Sequence, residues 1–485
     1  MNFNKISYFV DKEIPRKSSW GAKNGVFSKY TVMKIRRIHD IQYRFNFPNF
    51  DSNFESYRTA FLNSDLGKIY QAIPWSELVS FLKLTDNTKG PSSIFSPRGK
   101  IALMFLKHYA CCSDKKLIEQ LNANMDFQFF CDLHIPPNDR LYNYKIVSAV
   151  RCEIADHLNI EKMQDILMDC WLPFMNDLDS MTCDATCYES SIRYPTDVKL
   201  LWEAVEWSYA QMKYWSREAK VKLIRTKYTK WLKRYVSYSK MRKKRKKKRR
   251  ALKRSLIWLL AKINNQLDYL EKEYSYLHFT FRYRRRRGTI KKLYEQQHEM
   301  FHEEKNRIKD RIVSIDKPYV RPIVRGKEKK PVEFGAKVHK LQIDGISIIE
   351  HLSFDAFNEG TRLKKTIFKT QHLTGKKVKL VGADAIYASN ANRKFLTRNG
   401  IRTDFKLKGR PSKHRKQQEQ IAKMITKERV SRLEGSFGTD KEHFLLKKNL
   451  ARTKKTEILW IFFGIHTSNA LKIGRRIVSQ ARLAA

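Results

Sequence analysis

Between Val198 and about Ile312 the chain carries long helical patterns and no strand signal, while strand-like segments lie on both sides of it. Any fold must therefore assemble one sheet from strands far apart in sequence, with a helical block interrupting it. Inside the block, Leu252, Leu256, Leu259, Ile263, Leu267 and Leu270 recur at spacings of four, three, four, four and three, a coiled-coil-like stripe. Arg242 to Arg250 is nine consecutive basic residues, and Arg284 to Arg287 adds four. Such a run surrounds a helix on all sides and repels itself, so it is not the polar face of an amphipathic helix. A solvated tail is the usual reading of a charge run. Here the run is internal and flanked by hydrophobic repeats, which favours phosphate binding by Arg242, Lys243, Lys244, Arg245, Arg284 and Arg285. Trp202, Trp207, Trp215 and Trp231 line the early helices of the block and are expected in its core, with stacking on exposed bases as the alternative.

The whole chain shares this charge bias: 98 Lys+Arg stand against 49 Asp+Glu, a formal net charge of +49. An excess of that size calls for a polyanion, and nucleic acid is the commonest. A length of 485 residues with 42% hydrophobic residues allows two or three cored units. The seven cysteines show no paired framework and no cleavable signal peptide is read, so a reducing cytoplasm is expected. The longest strongly apolar run, Ile458 to Ile465, is far short of a membrane span, so no membrane partner is expected.

Residues 1–55 mix Asn, Phe, Lys and Arg without periodicity and read as a basic N-terminal arm. Residues 56–165 read as a helical domain with a helix from Trp75, helices over Lys100 to Ala110 and Asp114 to Leu121 joined by a tight turn capped by Ser113 or Asp114, and another over Asn138 to Leu158. Helix, tight turn, helix on a basic chain is similar to a helix-turn-helix DNA reader, and a plain helical bundle fits as well. Strand signals fall at Thr182 to Cys187, Phe334 to Ile343, Ile346 to Phe354, Val378 to Ala383 and Thr403 to Leu407, with Asp344-Gly345 as a hairpin turn. Helices are expected over Gly360 to Gln371 and Asn390 to Asn399, followed by a basic loop, Lys408 to Lys416. Without residues 201–325, the strands and helices of 175–200 and 330–470 follow the order of an RNase H-like α/β sheet.

The segment Val430 to Leu446 is expected to be one helix, burying Val430, Leu433, Phe437 and Phe444 on a single face. Glu434 sits at the border of that face, and Lys441 follows two turns later, about 10 Å along the axis. Three acids thus stand out: Asp184 within a strand, Asp384 at a strand end and Glu434 on a later helix. Three unpaired carboxylates in one pocket repel, and divalent metals remove the conflict; hard oxygen donors select Mg²⁺, or Mn²⁺, over zinc. Two such ions about 4 Å apart serve phosphodiester chemistry.

TCDATCYESSIRYPTD, KPVEFGAKVHKLQIDG, VGADAIYASNANRKF and RLEGSFGTDKEHF resemble the blocks of DDE transposases from bacterial insertion sequences. The resemblance implies an RNase H-like core with Asp184, Asp384 and Glu434 as the catalytic, metal-binding triad and two Mg²⁺ ions per site. It also implies DNA partners (the terminal inverted repeats and the target), nucleoid association, and a homodimer or higher multimer on DNA. The family's Lys, separated from the Glu by six residues, falls on Lys441, whereas Val430 stands where an Arg is usual, with Arg429 and Arg432 nearby. Candidate phosphate contacts are Lys441, Arg432, Lys406, Lys408 and Arg410. A nucleic-acid binder with an inactive core and a generic RNase H-like nuclease are the alternatives. His298-Glu299-Met300-Phe301-His302 matches the HExxH pattern of zinc peptidases, but lies in the basic block without the longer form's downstream Gly and His.

Overall fold

The protein is described by a computed structural model covering residues 36–38, 48–86, 93–136, 138–274, 276–325, 331–408 and 414–484. Most of the expected N-terminal arm, and Arg410, lie outside the described residues. A two-stranded ladder, β1 (Arg36–Arg37) with β2 (Leu133–His134), stands apart from a mixed sheet. The sheet contains β3 (Ser180–Ser190), β4 (Pro322–Val324), β5 (Val332–Ile343), β6 (Ile346–Ser353), β7 (Leu380–Ala383), β8 (Arg402–Thr403) and β9 (Lys448–Asn449). Its five principal strands lie in the spatial order β6-β5-β3-β7-β8, antiparallel from β6 to β3 and parallel from β3 to β8. The β5–β6 hairpin turns at Asp344 (φ 46°) and Gly345 (φ 77°), both left-handed as a two-residue type I′ turn requires.

On its β7 side, β3 is paired in two places only. β7 covers Ser180 to Cys183 and β9 covers Glu189 and Ser190, leaving Asp184 to Tyr188 without a strand partner there among the described residues. A sheet gap of this kind opens where parallel strands end, the usual place for a ligand in an α/β sheet.

Helices α1 (Pro48–Asn63), α2 (Asp65–Gln71), α3 (Trp75–Phe81), α4 (Pro97–Tyr109), α5 (Asp114–Ala123), α6 (Met125–Phe130), α7 (Lys145–His157) and α8 (Ile160–Trp171) form the N-terminal helical part. As expected, Ser113 caps α5, accepting a hydrogen bond from the Lys116 amide. Helix α7 starts at Lys145, later than expected, because residues before it turn back to pair Leu141 with the Asn122 side chain.

This helical part shares one continuous core with the sheet and with the long C-terminal helix α17 (Lys454–Ala484). Edge strand β6 shows how. Gln164 of α8 exchanges two hydrogen bonds with the Ile349 backbone, and Asn469 of α17 exchanges two with Ser347. The side-chain amides thus complete the outer ladder of a strand that would otherwise expose unpaired groups. Gly474 lets α17 touch α2: a Cβ there would stand 2.1 Å from the Lys68 carbonyl oxygen.

The helical block folds around its own core, built by α9 (Asp197–Glu218), α10 (Tyr228–Lys240), α11 (Lys246–Glu273) and α12 (Phe281–His302). All six leucine and isoleucine residues of the expected stripe are buried. Trp202 is buried and stacks on Tyr235 with ring centroids 4.7 Å apart, as expected of a core tryptophan. The basic run differs from expectation: Arg242 to Arg245 precede α11 and only the residues from Lys246 are helical. With no carboxylate available in its first turn, that helix gains nothing electrostatically by starting earlier. Arg287 is not a surface cation either, since it is buried and clamps Asn264, Asp268 and Glu271.

The remaining helices are α13 (Leu363–Thr374), α14 (Asn390–Arg398), α15 (Arg415–Glu428) and α16 (Gly435–His443). The strand expected over Thr403 to Leu407 is only two residues long, because the Asp404 side chain takes the Ala383 amide and ends the ladder.

Candidate active site

Asp184 and Asp384 are brought together by strand register. Cys183 pairs with Ala383 across parallel β3 and β7, so the two acids occupy the next positions on strands about 4.8 Å apart. Each accepts the amide of its own following residue through Oδ1, at 2.7 Å, and Asp384 thereby caps the short 3₁₀ turn Ala385–Tyr387. Burial, then the charges of Glu359 and Asp384, push the Asp184 carboxyl up to about 6, against the opposing pull of the Ala185 amide and Arg429. A carboxylate held in this way favours the arrival of a cation.

The face of β3 carrying Asp184 also carries Thr186 and Tyr188, because side chains alternate along a strand. The segment from α15 through α16 crosses this face. Lys441 Nζ donates to Thr186 Oγ1 at 3.0 Å, and Tyr188 Oη donates to Asp440 Oδ2 at 2.7 Å. Lys340, the cross-strand partner of Asp184, donates to Asp440 Oδ2 at 2.7 Å and to Ser436 Oγ at 3.1 Å. Both Lys340 and Asp440 are buried. These bonds fix the direction of the helix along β3 and put its earlier residues, Glu434 among them, at the Asp184 end.

Between α15 and α16 lies a π-helical turn, Arg429–Glu434, which changes the expected face. The extra residue in that turn shifts the phase, so Val430 is exposed while Leu433, Ser436 and Asp440 point inward. Glu434 Oε1 accepts from Arg429 Nη1 at 2.9 Å. Arg429 Nε in turn donates to Asp404 Oδ2 at 3.3 Å, and Asp404 Oδ1 accepts the amide of Ala383, the residue just before Asp384. Among the described residues, no three His, Cys, Asp or Glu side chains are grouped so as to hold a metal ion. Two carboxylates are therefore adjacent in register, and the third candidate, Glu434, is turned onto an arginine.

The other candidates divide. Lys441 lies on the face of β3 that carries Asp184, bonded to Thr186. Arg432 instead pairs with Glu428 at 2.9 Å and reaches Asp344 at 3.4 Å, facing the β5–β6 turn. Lys406 and Lys408 are exposed beyond β8, and Lys408 lies 3.4 Å from Asn390. Arg242, Lys243, Lys244 and Arg245 precede α11 at the surface, and Arg284 and Arg285 are exposed on α12. His298 and His302 are exposed with ring centroids 4.2 Å apart, and no metal-holding cluster includes them among the described residues. Sequence reasoning missed Lys340, Asp404 and Asp440. Asp440 had a signal, being seven residues after Leu433 on the same face, but a fully buried acid is rare.

Two family models match the chain: the Transposase DDE domain over residues 381–465, and the Transposase domain (DUF772) over residues 55–151. The first takes in Asp384, Glu434 and Lys441 in the arrangement just described. The chain carries a DDE transposase domain and a second transposase domain, which support a DDE transposase of an insertion element. This transposase matches no curated protein and no solved structure at a significant level. Its second match spans most of the helical part packed on α17 and the sheet edge, so both halves of the shared core carry transposase domains. No helix among its described residues is long and apolar enough to cross a membrane.

Proposed function

We propose that this transposase cuts the ends of its element and joins the freed 3′-hydroxyl to target DNA, with Asp184, Asp384 and Glu434 as the acids of a divalent-metal site. The observation that carries the reading is the register of Asp184 beside Asp384 at a gap in the sheet, crossed by the Glu434–Lys441 helix. The strand order, antiparallel on one side of β3 and parallel on the other, supports an RNase H-like core.

Asp184 and Asp384 fit a hard divalent cation, since each carries a carboxylate at the gap and Asp184 is destabilised in its charged form. Glu434 completes the set only on leaving Arg429. Mg²⁺, with Mn²⁺ as a substitute and two ions per site, would activate the attacking hydroxyl and stabilise the leaving oxygen. The chain's own part is to bind and orient the phosphodiester. Lys441, held against Thr186, would contact a phosphate beside the acids.

The basic block supplies a second surface. Lys244, Lys246, Arg249 and Lys253 line a cleft of about 720 Å³ with Tyr194 and Tyr235, next to the end of β3. Its charge fits duplex DNA flanking the cut. Assembly as a homodimer or higher multimer pairing two ends, in the cytoplasm on the nucleoid, completes the proposal.

A cleavage assay tests it: with Mg²⁺, DNA bearing the element's terminal inverted repeats is nicked at the element ends, and scrambled ends are not. Binding without nicking would leave a DNA-binding protein with an inactive core. Nicking indifferent to the repeats would leave a general nuclease. Neutralising Arg242 to Arg250 is expected to weaken DNA binding and to flatten its salt dependence, by about 0.9 in log–log slope for each phosphate no longer neutralised. Fluorescence anisotropy between low and moderate salt measures this, and an unchanged slope would make the run a solvated segment.

A further inference from the structure

Arg429 lies against β7, its Cβ 3.6 Å from where a Cβ on Gly382 would stand. Its side chain is only 13% exposed, and one guanidinium bonds both Glu434 and Asp404. Its charge also acts on Asp184. Asp404, almost wholly buried, is itself tied to the peptide before Asp384. The guanidinium therefore bonds two acids, Glu434 and Asp404, and its charge reaches a third, Asp184, so it neutralises part of their mutual repulsion.

The π-helical turn creates the pairing. In a regular α-helix each residue advances about 100°, so residues five apart point roughly 140° away from each other. A π turn closes at five residues and brings positions 429 and 434 to the same side. The local backbone is thus shaped around the Arg429–Glu434 pair, and Glu434 remains half exposed, with room to turn.

We propose that Arg429 is a latch on the third acid: it holds Glu434 apart from Asp184 and Asp384 in the DNA-free protein and yields it when a divalent cation takes over the charge. The inference rests on the acid-triad reading above. It makes Arg429 a positioning residue that acts through Glu434, and it gives the arginine one position away from the usual site, where Val430 stands, a definite role.

The test is Mn²⁺ binding to the full-length, DNA-free chain, followed by the electron paramagnetic resonance of free Mn²⁺. Arg429→Gln is expected to bind Mn²⁺ roughly fivefold more tightly than wild type, the scale of one partly exposed ion pair removed from competition. Arg429→Lys, which keeps the charge, should stay near wild type. The gain should vanish in Arg429→Gln/Glu434→Gln, and Asp184→Asn/Asp384→Asn should abolish binding in either background. Circular dichroism melts confirm that each variant folds. No gain in Arg429→Gln overturns the latch, as does a gain that persists without Glu434, since that is only a general charge effect. Binding sensitive to Asp184 and Asp384 but not to Arg429 defeats the latch alone. Binding indifferent to those two acids, or no binding in any variant, defeats the site as well.

Discussion

Asp184→Asn, Asp384→Asn and Glu434→Gln are each expected to reduce end cleavage by about a thousandfold or more, the rate equivalent of roughly 4 kcal/mol of lost transition-state stabilisation. Affinity for the terminal repeats is expected to stay within a few-fold of wild type, because the exposed basic residues proposed to hold DNA are untouched. Asp184→Asn provides its own folding control. Burial pushes that carboxyl up to about 6 from an ordinary 3.8, so the ionised acid is disfavoured in the fold. Native protein then holds the extra proton between these values, and stability falls as pH rises through them. At pH 7 the neutral Asn removes this cost, and the variant melts no lower than wild type. Full cleavage by any one variant would remove that acid from the site.

The second large effect is on stability. Lys340→Met takes away the cation bonded to the buried Asp440 carboxylate and leaves it the Tyr188 hydroxyl, and breaking such a pair costs about 3–5 kcal/mol. Denaturant titration followed by circular dichroism is expected to show a loss of that size. Lys340→Met/Asp440→Leu recovers most of it, because removing both charges abolishes the uncompensated ion. A loss below about 1 kcal/mol in the single variant would mean that water reaches Asp440, as at a surface pair. The same lysine clamps the Glu434–Lys441 helix to β5, so cleavage is expected to fall with stability.

The helical block was legible because its signals are local. A stripe at three- and four-residue spacing is buried as expected, and Trp202 is in the core. The Asp344-Gly345 turn was legible for the same reason: only a few residue pairs adopt two consecutive left-handed conformations. Asp184 lies within a strand and Asp384 just past the end of one, as expected from their local sequence, whereas Glu434 ends a π-helical turn. Less was legible where distant groups compete for the same backbone. Asp404 ends a strand that its flanking residues would continue, because its carboxylate meets Ala383. Arg242 to Arg250 looked uniform, yet only part of it is helical. Arg287 belonged to the same basic signal as Arg284 and Arg285, and became a buried clamp once α11 and α12 packed.

The sequence by itself determined that this is a highly basic chain with a helical interruption and acids at strand and helix positions. Those properties follow from charge count, periodicity and turn chemistry, which need only near neighbours. Only the tertiary structure decided which groups meet. Parallel register placed Asp184 beside Asp384, and one extra residue in a helical turn faced Glu434 toward Arg429. Register and helical phase depend on packing across the whole sheet, and a shift of one residue in either redirects a side chain to a different partner.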